Sequence, residues 1–160
     1  MYYHGLRVSE VAGLRLENII AGDHAQLAIR QAKGAKDRNV ILVDATRNLL
    51  DRWSVERAKI ANAGSGDALF LSLSNRNLGG PLTVIGVRSI VNGYLEAVGL
   101  RRSGLSCHAL RHAHATHALR QRADLKALSV EMGHASIDTT SVYLHVADAV
   151  DQNPAELLKR

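Results

Sequence analysis

The sequence predicts an α+β fold that is mainly α-helical and carries a small three-stranded antiparallel sheet near its N-terminus. Two observations predict this fold class. Between residues 17 and 43, three short strand-like segments are separated by glycine-containing turns, which is typical of an antiparallel sheet. From residue 44 onward, apolar residues recur mostly at the spacing of amphipathic helices. The 160 residues are enough for one domain with a hydrophobic core.

The N-terminal part of the chain is expected to hold one short helix and then the sheet. The helix should begin near Ser9, with Arg7 just before it. The strands are expected at residues 17–20, 26–31 and 39–43. The turn between the second and third strands contains three basic residues, Lys33, Lys36 and Arg38. A basic turn of this kind is usually solvated, although it could also reach into a groove of nucleic acid.

The rest of the chain predicts five helices, at residues 44–61, 83–98, 109–122, 125–132 and after Ser136. Asp44 is expected to cap the first of them, and Trp53 to face the core from it. Glycine is expected to end two helices, at Gly99 and Gly133. The second helix is expected to bury its apolar positions, which are Val84, Val87, Ile90, Val91, Leu95 and Val98.

Composition and charge narrow the classes of function. The net charge of +5 favours an anionic partner. The single cysteine, Cys107, excludes an internal disulfide and a cysteine-based zinc site, and we expect it to pack rather than react. No apolar run approaches the length of a membrane span, and the first residues lack a signal-peptide pattern.

The residues from Cys107 to Tyr143 hold the clearest chemical pattern. His108 and Arg111 lie three positions apart near the start of a predicted helix, so both side chains can point the same way. A helix N-terminus also attracts phosphate. His134 directly follows a glycine, and Tyr143 comes nine residues later. These residue types are suited to binding a phosphate and attacking it.

A wider set of motifs occurs in a fixed order along nearly the whole chain: GLRVSE around Arg7, the turn with Lys33, HALRH from His108, then GH and Tyr143. The set closely resembles the catalytic domain of tyrosine recombinases, the phage integrase and Xer-type family. The resemblance implies a site-specific DNA recombinase that acts in DNA integration and recombination. Such an enzyme cleaves and rejoins DNA through a 3′-phosphotyrosine intermediate, without metal, cofactor or ATP.

The resemblance also implies a role for each matched residue. Arg7 and Arg111 would hold two phosphate oxygens, because a guanidinium offers a planar fork of donors and stays protonated. His134 would donate a hydrogen bond to a non-bridging oxygen. Preorganised donors of this kind can each contribute about 10²–10³ in rate.

The remaining roles concern proton transfer. Tyr143 would be the nucleophile, and its phenol, with an ordinary pKa near ~10, needs a proton acceptor at neutral pH. His108 is the expected acceptor. The leaving 5′ oxygen needs a proton, and the resemblance assigns that role to Lys33, with Lys36 as the weaker candidate.

Other polar residues in these motifs receive supporting or structural interpretations. Glu10 is expected to support the active site or the packing of its helix. His112, His114 and His117 have partly helical spacing but lack a carboxylate partner motif, so we interpret them as structural or DNA-proximal residues rather than metal ligands. Asp124 is expected to shape the turn between two helices.

The resemblance implies a domain organisation and a set of partners. Residues 1–147 would be the catalytic domain without its first helices, and residues 148–160 a tail. The tail could dock on a neighbouring protomer through Leu157 and Leu158, fold back in cis or be disordered. The N-terminal DNA-clamping domain of the family would be absent, so the chain would be a fragment, an engineered form or a truncated gene with weak recombination alone. The expected partners are double-stranded DNA and, for the full-length family member, a homotetramer on synapsed DNA, with no membrane. The expected location is the cytoplasm, at the nucleoid.

Two other functions share part of this pattern. One is a DNA-binding protein that kept the fold but does not cleave. The other is a type IB topoisomerase-like enzyme that relaxes DNA without exchanging partners. The full set, which includes Tyr143, favours a recombinase, because binding alone has no need for a tyrosine at that position.

Overall fold

The structure is a computed structural model that describes residues 1–30, 37–100, 105–134 and 136–151. Five of the six predicted site residues fall within these ranges. Lys33 and its weaker substitute Lys36 lie outside the described residues, as do the two leucines of the predicted tail, Leu157 and Leu158.

The N-terminal part contains the expected short helix and three-stranded sheet. Helix α1 spans Val8–Gly13, and the strands are β1 (Ile19–Ile20), β2 (Gln26–Ile29) and β3 (Arg38–Ile41). The strands are antiparallel in the order β1-β2-β3, with Leu27 opposite Ile19 on one side and Val40 on the other. The predicted fold class is therefore confirmed.

The first strand is shorter than predicted. Residues Leu16–Asn18 form a turn of 3-10 helix instead of the start of a strand. The reason is local, since the Asn18 side chain accepts a hydrogen bond from the backbone N–H of Arg15 at 2.8 Å. Such side-chain bonds to the backbone compete with strand pairing.

Five further helices follow, at the predicted places: α2 (Asp44–Ile60), α3 (Val84–Ala97), α4 (Cys107–Arg120), α5 (Leu125–Met132) and α6 (Asp138–Asp151). The predicted cap at Asp44 is wrong, because Val43 occupies the cap position and Asp44 is the first helical residue. Helix α4 begins at Cys107, two residues earlier than predicted, which places His108 in its first turn. Helix α6 continues past residue 147, the predicted end of the catalytic domain.

The main hydrophobic core lies between the sheet and the segments around it. Its buried members are Leu6, Leu14, Ala25, Leu27, Ile29, Val40, Leu42 and Leu69. Trp53 packs against this core from α2 and donates its indole N–H to the carbonyl of Leu69 at 2.8 Å, so its predicted core position is confirmed. A second cluster joins α4, α5 and α6 and contains Ala115, Leu128, Met132 and Tyr143. The second cluster holds the tyrosine-bearing helix against the two helices before it.

Helix α3 buries less of its apolar surface than predicted. Val87 and Leu95 are buried, but Ile90 and Val98 are 49% and 64% exposed. The helix packs against α1 and α4, so only the side chains that face those two helices are covered. In the described ranges, none of the helices combines the length and the apolar character that crossing a bilayer requires.

Candidate active site

Five of the six predicted site residues line one cavity of about 450 Å³: Arg7, His108, Arg111, His134 and Tyr143. They come from the start of α1, the first turns of α4, the segment after α5, and α6. His112 and Arg88 lie in the same wall. Tertiary packing therefore brings together residues that are up to 136 positions apart in the chain.

Arg111 lines the cavity and is buried, only 8% exposed. Its guanidinium donates to the carbonyl of Gly5 and, at 2.7 Å, to that of Met132. Burial and the positive charge of Arg7 lower the pKa of Arg111 to about 10, so it remains a cation at neutral pH. Gly5 has φ +55°, and a Cβ there would lie 2.9 Å from the His114 ring. Glycine is therefore required where the backbone at residue 5 passes close to this ring.

Arg7 occupies the N-cap position of α1 and is held by the carboxylate of Glu10. Its backbone N–H donates to Glu10 at 2.8 Å, and its guanidinium donates to Glu10 at 2.9 Å and to the Gly133 carbonyl at 2.8 Å. Burial alone would raise the pKa of Glu10, but hydrogen bonds from Arg38 and Arg7 outweigh it, and the pKa lies below its usual value. Glu10 is therefore an anion that supports the arginines.

The expectation that Arg38 belongs to a solvated basic turn is wrong. It is the first residue of β3 and is 7% exposed. It bonds both Glu10 oxygens, at 3.0 and 2.8 Å, and the Glu131 carbonyl at 2.6 Å. Alternation along β3 could have revealed this, because Arg38 shares the inward face with Val40.

His134 is oriented by a residue that sequence reasoning missed. Its Nδ1 lies 2.7 Å from the hydroxyl oxygen of Thr140, which is fully buried at the start of α6. Burial, followed by the positive charges of Arg111 and Arg7, lowers the pKa of His134 to about 4. The imidazole is therefore neutral at pH 7, and it can act as a hydrogen-bond donor without carrying charge.

Tyr143 is 9% exposed and contacts two imidazole rings. It stacks on His134 with ring centroids 6.4 Å apart, and its centroid lies 5.2 Å from that of His112. Burial raises the pKa of Tyr143, and the charge of Arg111 acts in the opposite direction. The phenol is therefore protonated at neutral pH, and nucleophilic attack requires a proton acceptor.

Among the described residues that the sequence singled out, His117 and Asp124 make hydrogen bonds, and His114 lies near a carboxylate. His114 approaches Glu131 at 3.8 Å, and His117 hydrogen-bonds the Tyr2 hydroxyl at 2.8 Å. Asp124 caps α5 by accepting from the Ala127 N–H at 2.8 Å. Over the described ranges, His, Cys, Asp and Glu side chains form no group of three that could hold a metal ion.

The buried histidine His4 predicts how the free energy of unfolding depends on pH. It is 3% exposed, and burial followed by the charge of the N-terminal amine lowers its pKa to about 4. As the pH falls, His4 therefore binds a proton at a higher pH in the unfolded chain than in the folded chain. We expect the free energy of unfolding to fall between about pH 6.5 and pH 4, with a contribution from His4 on the order of 3 kcal/mol.

Urea denaturation of wild type and His4→Gln across this range measures that contribution. The pH dependence should be smaller in His4→Gln and unchanged in His24→Gln, since His24 is exposed. Equal slopes in wild type and His4→Gln would contradict the assignment.

Comparison with known proteins adds a family relationship to this geometry. Residues 1–149 match the phage integrase family. The chain is 39% identical over 147 residues to the tyrosine recombinase XerD of Caulobacter vibrioides, covering 92% of this chain and 47% of that protein. It is 37% identical over 147 residues to the tyrosine recombinase XerC 2 of Ralstonia nicotianae, covering 92% and 41%.

Solved structures show the same fold. The crystal structure of XerA recombinase superimposes with a TM-score of 0.78 at 26% identity, covering 99% of this chain and 53% of that one. XerH site-specific recombinase, in a post-cleavage complex with a palindromic difH substrate, gives 0.80 at 27% identity, covering 99% and 44%. The chain spans about half the length of the curated relatives it matches.

Proposed function

The chain belongs to the phage integrase family, and from this we propose that it carries out the DNA cleavage and rejoining of a site-specific tyrosine recombinase. The observation that supports the proposal best is that one cavity holds Tyr143 together with the two predicted arginines and the two predicted catalytic histidines. A buried tyrosine in a cationic cavity suits attack on a phosphodiester, since the cavity binds the anion that the tyrosine attacks.

Arg7 and Arg111 bind the scissile phosphate in this proposal. Both guanidiniums line the cavity, and each is anchored to a backbone carbonyl that leaves other N–H groups for a ligand. The excess of positive charge stabilises the negative charge that develops on the phosphate oxygens. Neutral His134 adds a hydrogen bond from the imidazole nitrogen that does not face Thr140.

Tyr143 then attacks the phosphorus, and the bond from phosphorus to the 5′ oxygen breaks. The phenolic proton passes to His108, which lines the cavity, with His112 beside the tyrosine ring as the competing acceptor. The leaving 5′ oxygen takes a proton from Lys33. Attack by a 5′ hydroxyl on the 3′-phosphotyrosine reverses these steps and reseals the backbone.

Double-stranded DNA is the proposed partner. The net charge of +5 supports an anionic ligand, and XerH was solved on its difH DNA. For the whole protein we propose a homotetramer on synapsed DNA, acting in the bacterial cytoplasm at the nucleoid. A non-cleaving DNA-binding protein is less favoured, because it would not need a buried tyrosine beside two histidines in the cationic cavity.

A nicked-duplex trapping experiment tests the proposal. The chain is incubated with a library of duplexes that carry a nick beside a randomised sequence, so that the short cleaved strand diffuses away and religation fails. We expect an SDS-resistant protein–DNA species, and mass spectrometry of its peptides should place the nucleotide on Tyr143. A species mapped to another residue, or the absence of any covalent species, would refute the proposal.

A further inference from the structure

Three arginines converge on the last turn of α5. Each of the final carbonyls accepts from a different one: Arg38 donates to Glu131 at 2.6 Å, Arg111 to Met132 at 2.7 Å, and Arg7 to Gly133 at 2.8 Å. The last carbonyls of a helix lack partners within the helix and carry partial negative charge, so cations suit them. The next residue in the chain is His134, so these three hydrogen bonds fix the backbone position from which the histidine side chain extends.

Arg38 differs from the other two arginines. The described residues that line the cavity include Arg7 and Arg111 but not Arg38, whose side chain is 5% exposed behind them. Arg38 binds Glu10 through two parallel hydrogen bonds, the most directional form of arginine–carboxylate pairing. The same carboxylate also accepts from Arg7.

Gly133 shows how closely Arg38 approaches the end of α5. It has φ +63°, and a Cβ at this position would lie 2.6 Å from the Arg38 guanidinium. A side chain at residue 133 would therefore be strained by its backbone and would displace Arg38. The close approach links the GH motif to a residue of the sheet.

We propose that Arg38 is a positioning residue of the active site, which orients Arg7 through Glu10 and His134 through the end of α5. This inference rests on the proposed function for its effect on cleavage. Arg38 does not contact the phosphate. It acts through two residues that line the cavity.

The charges explain why the position matters. Glu10 pairs with Arg38 and Arg7, and its charge also acts on nearby Arg111, so one carboxylate accompanies three guanidiniums and the group retains positive charge for a phosphate. Without Arg38, the full carboxylate charge would attract Arg7 more strongly toward α1. The Glu131 carbonyl would also lose its donor, and the segment that carries His134 would lose an anchor.

Single-turnover cleavage of the nicked duplex tests this role in Arg38→Met and Arg38→Lys. We expect Arg38→Met to lower the cleavage rate at saturating DNA by about 100-fold, because small displacements of catalytic groups have effects of that size. The Kd for the same DNA should stay within about threefold, since the phosphate-binding arginines remain. Arg38→Lys should recover part of the rate, because it keeps the charge but not the fork.

Arg57→Met is the matched control. Arg57 is also a buried arginine, 9% exposed, and it donates to the carbonyls of Ala68 and Gly66 at 2.9 and 3.1 Å, outside the cavity. Its loss should lower the melting temperature without lowering the cleavage rate at a temperature where both variants are folded. Cleavage at the wild-type rate by Arg38→Met would overturn the positioning role while the proposed function stands.

A titration of His134 by NMR, on the protein without DNA, provides a readout that does not depend on cleavage. The charge of Arg38 is one of the causes that lower the pKa of His134, after burial, Arg111 and Arg7. The pKa should therefore rise in Arg38→Met and stay unchanged in Arg57→Met. If the wild-type chain forms no Tyr143 adduct, the proposed function fails, and the same titration of Arg38→Lys, which keeps the charge, still decides: a shifted His134 pKa supports the positioning role and an unchanged pKa overturns it.

Discussion

Tyr143→Phe is expected to abolish the covalent protein–DNA product and to leave the fold intact. The phenylalanine ring can keep the packing against Ala115, Leu128 and Met132 and the stacking on His134. Only the hydroxyl is lost, and with it the atom that would bond to phosphorus. Denaturing gels of wild type and variant on the nicked duplex measure the effect, which should reach the background of the assay.

Tyr94→Phe is the control for this substitution. Tyr94 lies on α3 and is 72% exposed, so removal of its hydroxyl should leave adduct formation unchanged. Melting curves of both variants should overlay that of the wild type within a few degrees, since neither change removes buried apolar surface. A covalent product from Tyr143→Phe at the wild-type rate would show that another residue is the nucleophile.

Arg111→Lys is expected to lower the cleavage rate by about 10²–10³, the cost of losing one preorganised donor group. Arg111 holds two carbonyls and, in the proposed function, a phosphate as well, and its fork of donors allows this. A lysine ammonium is a single point and leaves a carbonyl of Gly5 or Met132 without a donor. The variant should therefore also lose about 1–3 kcal/mol of unfolding free energy.

Arg120→Lys separates this effect from any general consequence of replacing an arginine with a lysine. Arg120 is exposed at the other end of the same helix, so its replacement should change neither rate nor stability. Single-turnover cleavage and urea denaturation of the two variants measure both quantities. Equal rates for Arg111→Lys and wild type would remove Arg111 from the proposed phosphate site.

Short-range signals were enough to predict the order and type of the elements. The sheet and all five later helices lie where apolar periodicity and turn residues indicated, because each element depends on neighbours within a few positions. Gly133 ends α5 in the left-handed region, as a glycine after an apolar helix predicts. Two errors were local, at the start of β1 and at the cap of α2, and another occurred where distant packing decided burial, as with Ile90 and Val98 on α3.

The candidate site was predictable only where residues form part of a motif. Arg7, Arg111, His134 and Tyr143 could be named because their types and order match a known pattern, and the structure brings them to one cavity. Thr140 could not be named, since a buried threonine on an amphipathic helix has no distinguishing neighbours. Its hydroxyl is nevertheless the group that orients His134.

By itself, the sequence determined the fold class, the family and five of the residues that line the cavity, because these depend on local periodicity and on ordered motifs. Only the tertiary structure decided how the arginines are held. Arg7 reaches a carbonyl 126 residues away and Arg38 one 93 residues away. Such contacts have no local signature, since the acceptors are backbone oxygens that every residue carries, and only folding determines which arginine meets the end of α5.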